Sequence, residues 1–297
     1  MSTVFNCQLN EEDAFLVAGS EIVPLHTKEK YAYTLWTRRK GHLNMIPNFF
    51  KLEAIDLYYI SLMVFYADRK VLRRVQPDSW TRCITVYMPV LCLDKWNANK
   101  QLLESMLDFL TSDHWQFNFR ERTLNKYETL RKEVIQKSKK KLSATEFCML
   151  SGGLDSFIGA TNLLASGHKP IFVGNYNGGK GVSVYQMKVI DLLSSHFYYD
   201  KDRFYQFYAA PKSGKEDTTR SRSLMFFCTC HITRIWNGQF CDPLCSREWS
   251  YISKYTTDRT SFRKSKHPYY PSPLYGNAET TACKYGFANC HCQSIPV

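Results

Sequence analysis

One thirty-residue stretch constrains the fold of this chain more than any other. Residues 146–175 read EFCMLSGGLDSFIGATNLLASGHKPIFVGN: a short apolar strand, a Ser-Gly-Gly turn, an amphipathic helix and a second apolar strand. Strand, helix and strand in that order predict a βαβ unit and therefore a parallel sheet with helices on its faces. Gly152 and Gly153 lack a Cβ, so the backbone can turn sharply there, and a helix beginning near Leu154 aims its positive end at the turn. A loop of that kind collects backbone N–H groups at one point and binds phosphate. Ser151 and Ser156 add hydroxyls. Asp155, in the first helical turn, favours the dipole or helps hold a magnesium ion.

The rest of the chain is read around this unit. Its 297 residues, 44% of them hydrophobic and 22% charged, describe a globular protein rather than a disordered one. No apolar run reaches the length of a membrane span, and Glu11, Glu12 and Asp13 stand where a secretory signal would be apolar, so a cytoplasmic location with no membrane partner is expected. The net charge of +12 suits polyanions, nucleic acid or nucleotide phosphates. Its densest cluster, Lys137 with Lys139, Lys140 and Lys141, reads as a solvated linker. Basic residues are nowhere interleaved with aromatics as in a recognisable nucleic-acid module, so a plain nucleic-acid binder is disfavoured.

Residues 1–141 are expected to form an N-terminal α/β domain with a linker helix. KYAYTLW, RCITVYM and WQFNFR alternate as half-buried strands. Leu103, Met106, Leu107 and Leu110 form a helical stripe, with Asp94 or Asn97 as its cap. Asp56 to Val71 is apolar on most sides and has no clear period. Residues 125–141 form a charged helix whose inner face would be Leu130, Val134 and Ile135.

Residues 142–227 are the expected nucleotide-binding domain, of three layers around a parallel sheet. The loop fits neither the Walker pattern nor the dinucleotide fingerprint. SGGLDS after a strand resembles instead the PP-loop of the N-type ATP pyrophosphatases. About 70 residues on, TTRSRSLMFF is similar to the arginine-bearing helix start of the QueC family, the 7-cyano-7-deazaguanine synthases, with Arg222 at the matching position and Arg220 beside it. Guanidinium groups suit phosphate oxygens. The likeness is closer to the QueC-like proteins of the Qat anti-phage defence systems, which also carry an N-terminal extension and a T-R-S-R-S element. GNYNGGKGVSVYQ stands where QueC enzymes have D-Y-G-Q-x-H, and the QueC zinc cysteines have no match.

The resemblance implies a ligase that uses ATP and Mg2+. A carboxylate resembling 7-carboxy-7-deazaguanine would be adenylated with release of pyrophosphate, then attacked by ammonia or by an amine, including one on a partner protein, to give an amide or nitrile. Ser151, Gly152, Gly153, Leu154, Asp155 and Ser156 would hold the phosphates together with Arg220 and Arg222, and Asp155 and Arg222 would act in catalysis. Defence-system proteins would be partners. The alternatives are a tRNA-modifying PP-loop enzyme and a nucleotide-binding protein without turnover. A thiolating enzyme would need a reactive cysteine in the cleft, and Cys148 reads as a buried small hydrophobe.

Residues 228–297 are a different kind of sequence. Ile, Leu and Val make up 7 of these 70 residues against 47 of the preceding 227, and seven of the eleven cysteines lie here, so poor packing is expected. The cysteine spacings give no zinc pair, and no metal site is expected. Cys245 to Trp249 can be encoded TGT TCC AGA GAA TGG, which one base on reads VPENG. Continued through Pro273 with permitted codons, the shifted frame yields VPENGVISLNIPLTVLRSGSLSTRTTHP, matching the P-E-N-G, I-S-L-N and S-T-R-T-T-H-P motifs of the QueC-like proteins. Residues 228–297 are therefore expected to be translated out of frame, by a frameshift or a sequencing error, leaving the nucleotide-binding domain truncated after Phe227.

Overall fold

The computed structural model describes residues 2–27, 29–37, 48–138, 146–177, 180–212 and 214–234. The fold is α/β. Strands β1 (Thr3–Gln8), β2 (Glu21–Pro24), β4 (Cys83–Val90) and β5 (His114–Glu121) form one sheet in the order β2-β1-β4-β5, every pair parallel. A second sheet has the order β3-β8-β7-β6, from β3 (Tyr31–Tyr33), β8 (Phe204–Pro211), β7 (Ile171–Tyr176) and β6 (Phe147–Met149). Its pairs β6–β7 and β7–β8 are parallel, and β3 closes one edge antiparallel to β8.

The three strand-like segments of the N-terminal half are β3, β4 and β5, and the charged stretch is helix α4 (Lys126–Lys137), started by an Asn125–Glu128 capping box. Other local expectations are corrected. The leucine stripe lies on α3 (Lys100–Thr111), where Leu103 and Leu107 are buried but Met106 is exposed. Asp94 and Asn97 belong to a separate short helix, α2 (Leu93–Ala98), and cap nothing: Asn99 precedes α3 without a side-chain bond. On α4 only Ile135 of the three expected residues is buried, because Glu128 takes the inner face with Arg122, and Leu130 and Val134 are exposed.

The segment without a clear period is α1 (Leu52–Lys70), buried on nearly every side. It packs on β4 of the first sheet, on β8 of the second and on α7 (Arg222–Arg234). A helix with no water-facing side has no polar stripe to reveal its period.

The second sheet is the middle of three layers. Cys148, Phe172 and Phe204 face α5 (Leu154–Ala165) and α6 (Lys180–Phe197) in one core, while Phe147, Ile171, Val173, Tyr205 and Phe207 join the core beneath α1 and α7. That alternation is the period of two along each strand. The described residues cluster as one compact unit. The division at about residue 141 falls on residues outside the described set, as do Lys139 to Lys141; β3 crosses it, contributed by the N-terminal half to the second sheet. Helix α7 runs past Phe227 to Arg234 with Cys228 and Thr229 buried, so the irregular segment does not begin at 228. The remaining tail, 235–297, lies outside the described residues. No helix among the described residues is long and apolar enough to cross a membrane.

Candidate nucleotide site

Every parallel strand of the second sheet delivers its following loop to the same edge. Ser151 to Gly153 follow β6, the turn to α6 follows β7, and residues 212–221 follow β8 before α7 returns across β7 and β6. Crevices at the carboxyl ends of strands are where open α/β sheets bind ligands.

The Ser-Gly-Gly turn has the sharp form its glycines allow. Gly152 is at φ +86°, in the left-handed region, and Gly153 is the extended residue preceding α5. Ser151, Gly153, Leu154 and Asp155 are exposed and Ser156 is half-buried. The hydroxyls pin the turn from within: Ser151 Oγ donates to Ser156 Oγ at 3.0 Å, Ser156 Oγ donates to Gly153 O at 2.9 Å, and Gly153 N–H donates to Ser151 Oγ at 3.3 Å. Gly153 offers no side chain to cap α5, so the amides of Leu154, Asp155 and Ser156 are left for an external acceptor. The arrangement suits an anion at a helix N-terminus.

A residue unforeseen from the sequence supports the turn from behind. Gln186 of α6 donates Nε2–H to Ser151 O and Asn175 O, both at 3.2 Å, and its Oε1 accepts from Gln206 at 2.8 Å. It is fully buried. The single hint was Gly174 inside an apolar strand, since glycine there marks a close approach.

The two arginines part company. Arg222, half-buried at the first position of α7, has no hydrogen-bond partner for its guanidinium among the described residues. Arg220 is committed elsewhere: it donates to Thr111 O at 3.0 Å and to Ser112 Oγ at 3.4 Å, with its guanidinium 5.0 Å from the centre of the Trp80 ring.

Comparison of the chain with family models, with curated proteins and with solved structures gives no match.

A buried charge cluster fixes the start of α7. Asp68, near the end of α1, accepts from Ser221 Oγ at 2.5 Å and from Ser221 N–H at 3.3 Å, while its other oxygen accepts from Arg82. Arg82 also binds Asp113, which Arg73 grips with both terminal nitrogens at 2.9 and 3.0 Å. Two guanidiniums thus face two carboxylates, all buried. Burial pushes the Asp113 carboxyl up, but hydrogen bonds from Arg82 and the charges of Arg82 and Arg73 outweigh it and hold the group below its ordinary range. The same partners outweigh burial at Arg82 and raise it.

Cys148 is buried on β6. No group of three metal-ligating side chains is present among the described residues. Asp155 is the carboxylate that the loop itself carries, which fits Mg2+ held mainly by the phosphates of a nucleotide.

Proposed function

We propose that the chain is an ATP-dependent ligase of the PP-loop type that adenylates a carboxylate and releases pyrophosphate. The observation that carries this reading is the largely exposed Ser151–Ser156 turn, at a helix N-terminus without a side-chain cap, on the carboxyl edge of a parallel sheet. Such a turn is pre-organised for polyphosphate, and positioning with charge stabilisation is most of what an adenylation step needs. In the reaction a substrate carboxylate oxygen bonds to the α-phosphorus, and the bond from that phosphorus to the bridging oxygen breaks. Pyrophosphate then leaves with the electron pair. The loop amides, in the turn that the Ser151 and Ser156 hydroxyls keep in shape, hold the departing pyrophosphate, and Arg222 offsets its growing charge. Mg2+, when bound, neutralises phosphate oxygens, with Asp155 as its nearest protein carboxylate. Arg220 is directed to Thr111 and Trp80, so the charge role is assigned to Arg222.

The acyl adenylate then passes to ammonia or an amine, with AMP leaving. The carboxylate resembling 7-carboxy-7-deazaguanine, the defence-system partners and the cytoplasmic setting come from the resemblance of SGGLDS and TRSRS alone. Two measurements test the reading. The chain as it stands should bind Mg-ATP, and Ser156→Ala should weaken that binding. A version restored to the shifted frame after residue 227 should release AMP and pyrophosphate when given deazapurine carboxylates, and Arg222→Ala should abolish ATP–pyrophosphate exchange. Exchange that survives Arg222→Ala removes that residue from the mechanism, and absence of ATP binding removes the function.

A further inference from the structure

A second site lies away from the loop, in the N-terminal sheet. The strand order β2-β1-β4-β5 reverses direction between β1 and β4, since the chain leaves β1 toward one edge and later returns to its other side. Crevices beside such a reversal, at the carboxyl ends of the strands, are the favoured ligand positions of open parallel sheets. A cavity of about 480 Å3 occupies this edge, bounded by the residues after β1, after β3 and after β5. Its size is that of a small-molecule pocket.

The lining defines the ligand chemistry. Tyr33, Tyr59 and Tyr127 give aromatic walls, and Trp36 is held by Phe49, stacked at 4.9 Å, and by Phe50 at 5.1 Å. Trp36 is 3% exposed and its indole N–H has no acceptor among the described residues; Asn10 Oδ1 is likewise buried without a donor among them. A buried donor or acceptor without a partner is costly, so a ligand that supplies both partners gains from both. The two atoms are screened from water, and seating the ligand includes a small turn of these side chains, as is common on binding. Charge excludes phosphate: Lys126 is paired with Glu12 at 2.7 Å, and Glu11 leaves the lining negative.

We propose that this cavity binds a small, uncharged, planar heterocycle of nucleoside type, hydrogen-bonded to Trp36 and Asn10 and walled by the tyrosines. The site is independent of the phosphate-binding turn and its proposed chemistry.

Isothermal titration of the full chain with adenosine, guanosine, cytidine and uridine, and with their 5′-monophosphates, tests it. At least one nucleoside binds in one-to-one ratio, and its monophosphate binds at least about tenfold more weakly through repulsion by the acidic lining. Trp36→Phe keeps the ring but deletes the N–H and weakens binding about five- to tenfold, the loss of one hydrogen bond to a buried group. Tyr127→Ala, at the exposed rim, weakens it as well and guards against a Trp36 variant that fails to fold. Saturating Mg-ATP leaves nucleoside binding unchanged, because the two sites are separate. The proposal is overturned if no nucleoside binds at millimolar concentration, if the monophosphate binds as tightly, if binding resists the Trp36 and Tyr127 changes, or if Mg-ATP displaces the nucleoside.

Discussion

The side-chain amide of Gln186 fills the place where a Cβ on Gly174 would stand, with Oε1 2.8 Å and Cδ 3.0 Å from that point. Strand β7 can approach α6 this closely only because residue 174 has no side chain. The amide so admitted is the one that holds Ser151 O and Asn175 O. Gly174→Ala should push Gln186 off both carbonyls, at an expected cost of about 1–3 kcal/mol from overpacking, measured by urea unfolding. ATP affinity should fall with it. Unchanged ATP binding in a destabilised variant would detach Gln186 from the site.

The two glycines of the turn should behave differently. Gly152, at φ +86°, would place a Cβ 3.0 Å from Gln186 Cγ and 3.1 Å from its backbone nitrogen. Gly153, at φ −88°, would meet only Ser151 Oγ at an ordinary 3.6 Å. Gly152→Ala therefore combines a left-handed backbone penalty of about 1–2 kcal/mol with a clash. Gly153→Ala should leave stability within about 0.5 kcal/mol of the parent, as an uncrowded surface change. Thermal melts of the pair check the contrast, and equal losses would contradict the turn geometry.

These comparisons show what the sequence made legible. The βαβ unit was readable because β6 and β7 are short apolar runs and the turn between β6 and α5 needs residues that announce themselves. Helix α1 was not readable, because a helix enclosed by two sheets and another helix carries no polar stripe. Gln186 was hidden for a different reason: a buried glutamine matters through three partners that lie 11, 20 and 35 residues away along the chain. Arg220 and Arg222 look equivalent in TRSRS, and only the position of Trp80 and of the Thr111 carbonyl separates them.

The Asp68–Arg82–Asp113–Arg73 cluster should be intolerant of single losses. Arg82→Ala leaves two carboxylates buried with one guanidinium, and breaking a buried pair on one side costs about 3–5 kcal/mol. Acid should weaken the cluster too. Asp113 titrates below its ordinary 3.8 in the folded chain, so the unfolded chain takes up that proton first as pH falls. Its contribution is complete above about pH 4 and is lost through the folded-state pKa below that.

Asp56 has the opposite sign. Burial raises its carboxyl above 3.8, although backbone N–H bonds from Leu91 and Cys92, the Arg122 charge and the Trp96 N–H pull it down. The folded chain therefore binds this proton more tightly than the unfolded one, and Asp56 favours folding as pH falls. Urea titrations between pH 3 and 6 should show a shallower acid loss in Asp113→Asn and a steeper one in Asp56→Asn. Matching slopes in both would refute the assignment.

The thiols provide a last check, and it bears on the chemistry as well as the fold. Burial pushes Cys7 and Cys228 up to about 12, Cys148 is buried on β6, and Cys83 is exposed. Alkylation follows thiolate content and access. Brief treatment of the folded chain with iodoacetamide at pH 8, followed by peptide mass mapping, should modify Cys83 and leave Cys7, Cys148 and Cys228 untouched until denaturant is added. Protection of Cys228 would show that α7 is packed in solution beyond residue 227, where composition alone suggested the fold had ended. Protection of Cys148 would leave β6 without a sulfur nucleophile beside the loop, as adenylation without thiol transfer requires; rapid labelling of Cys148 in the folded chain would instead favour a thiolating, tRNA-modifying enzyme.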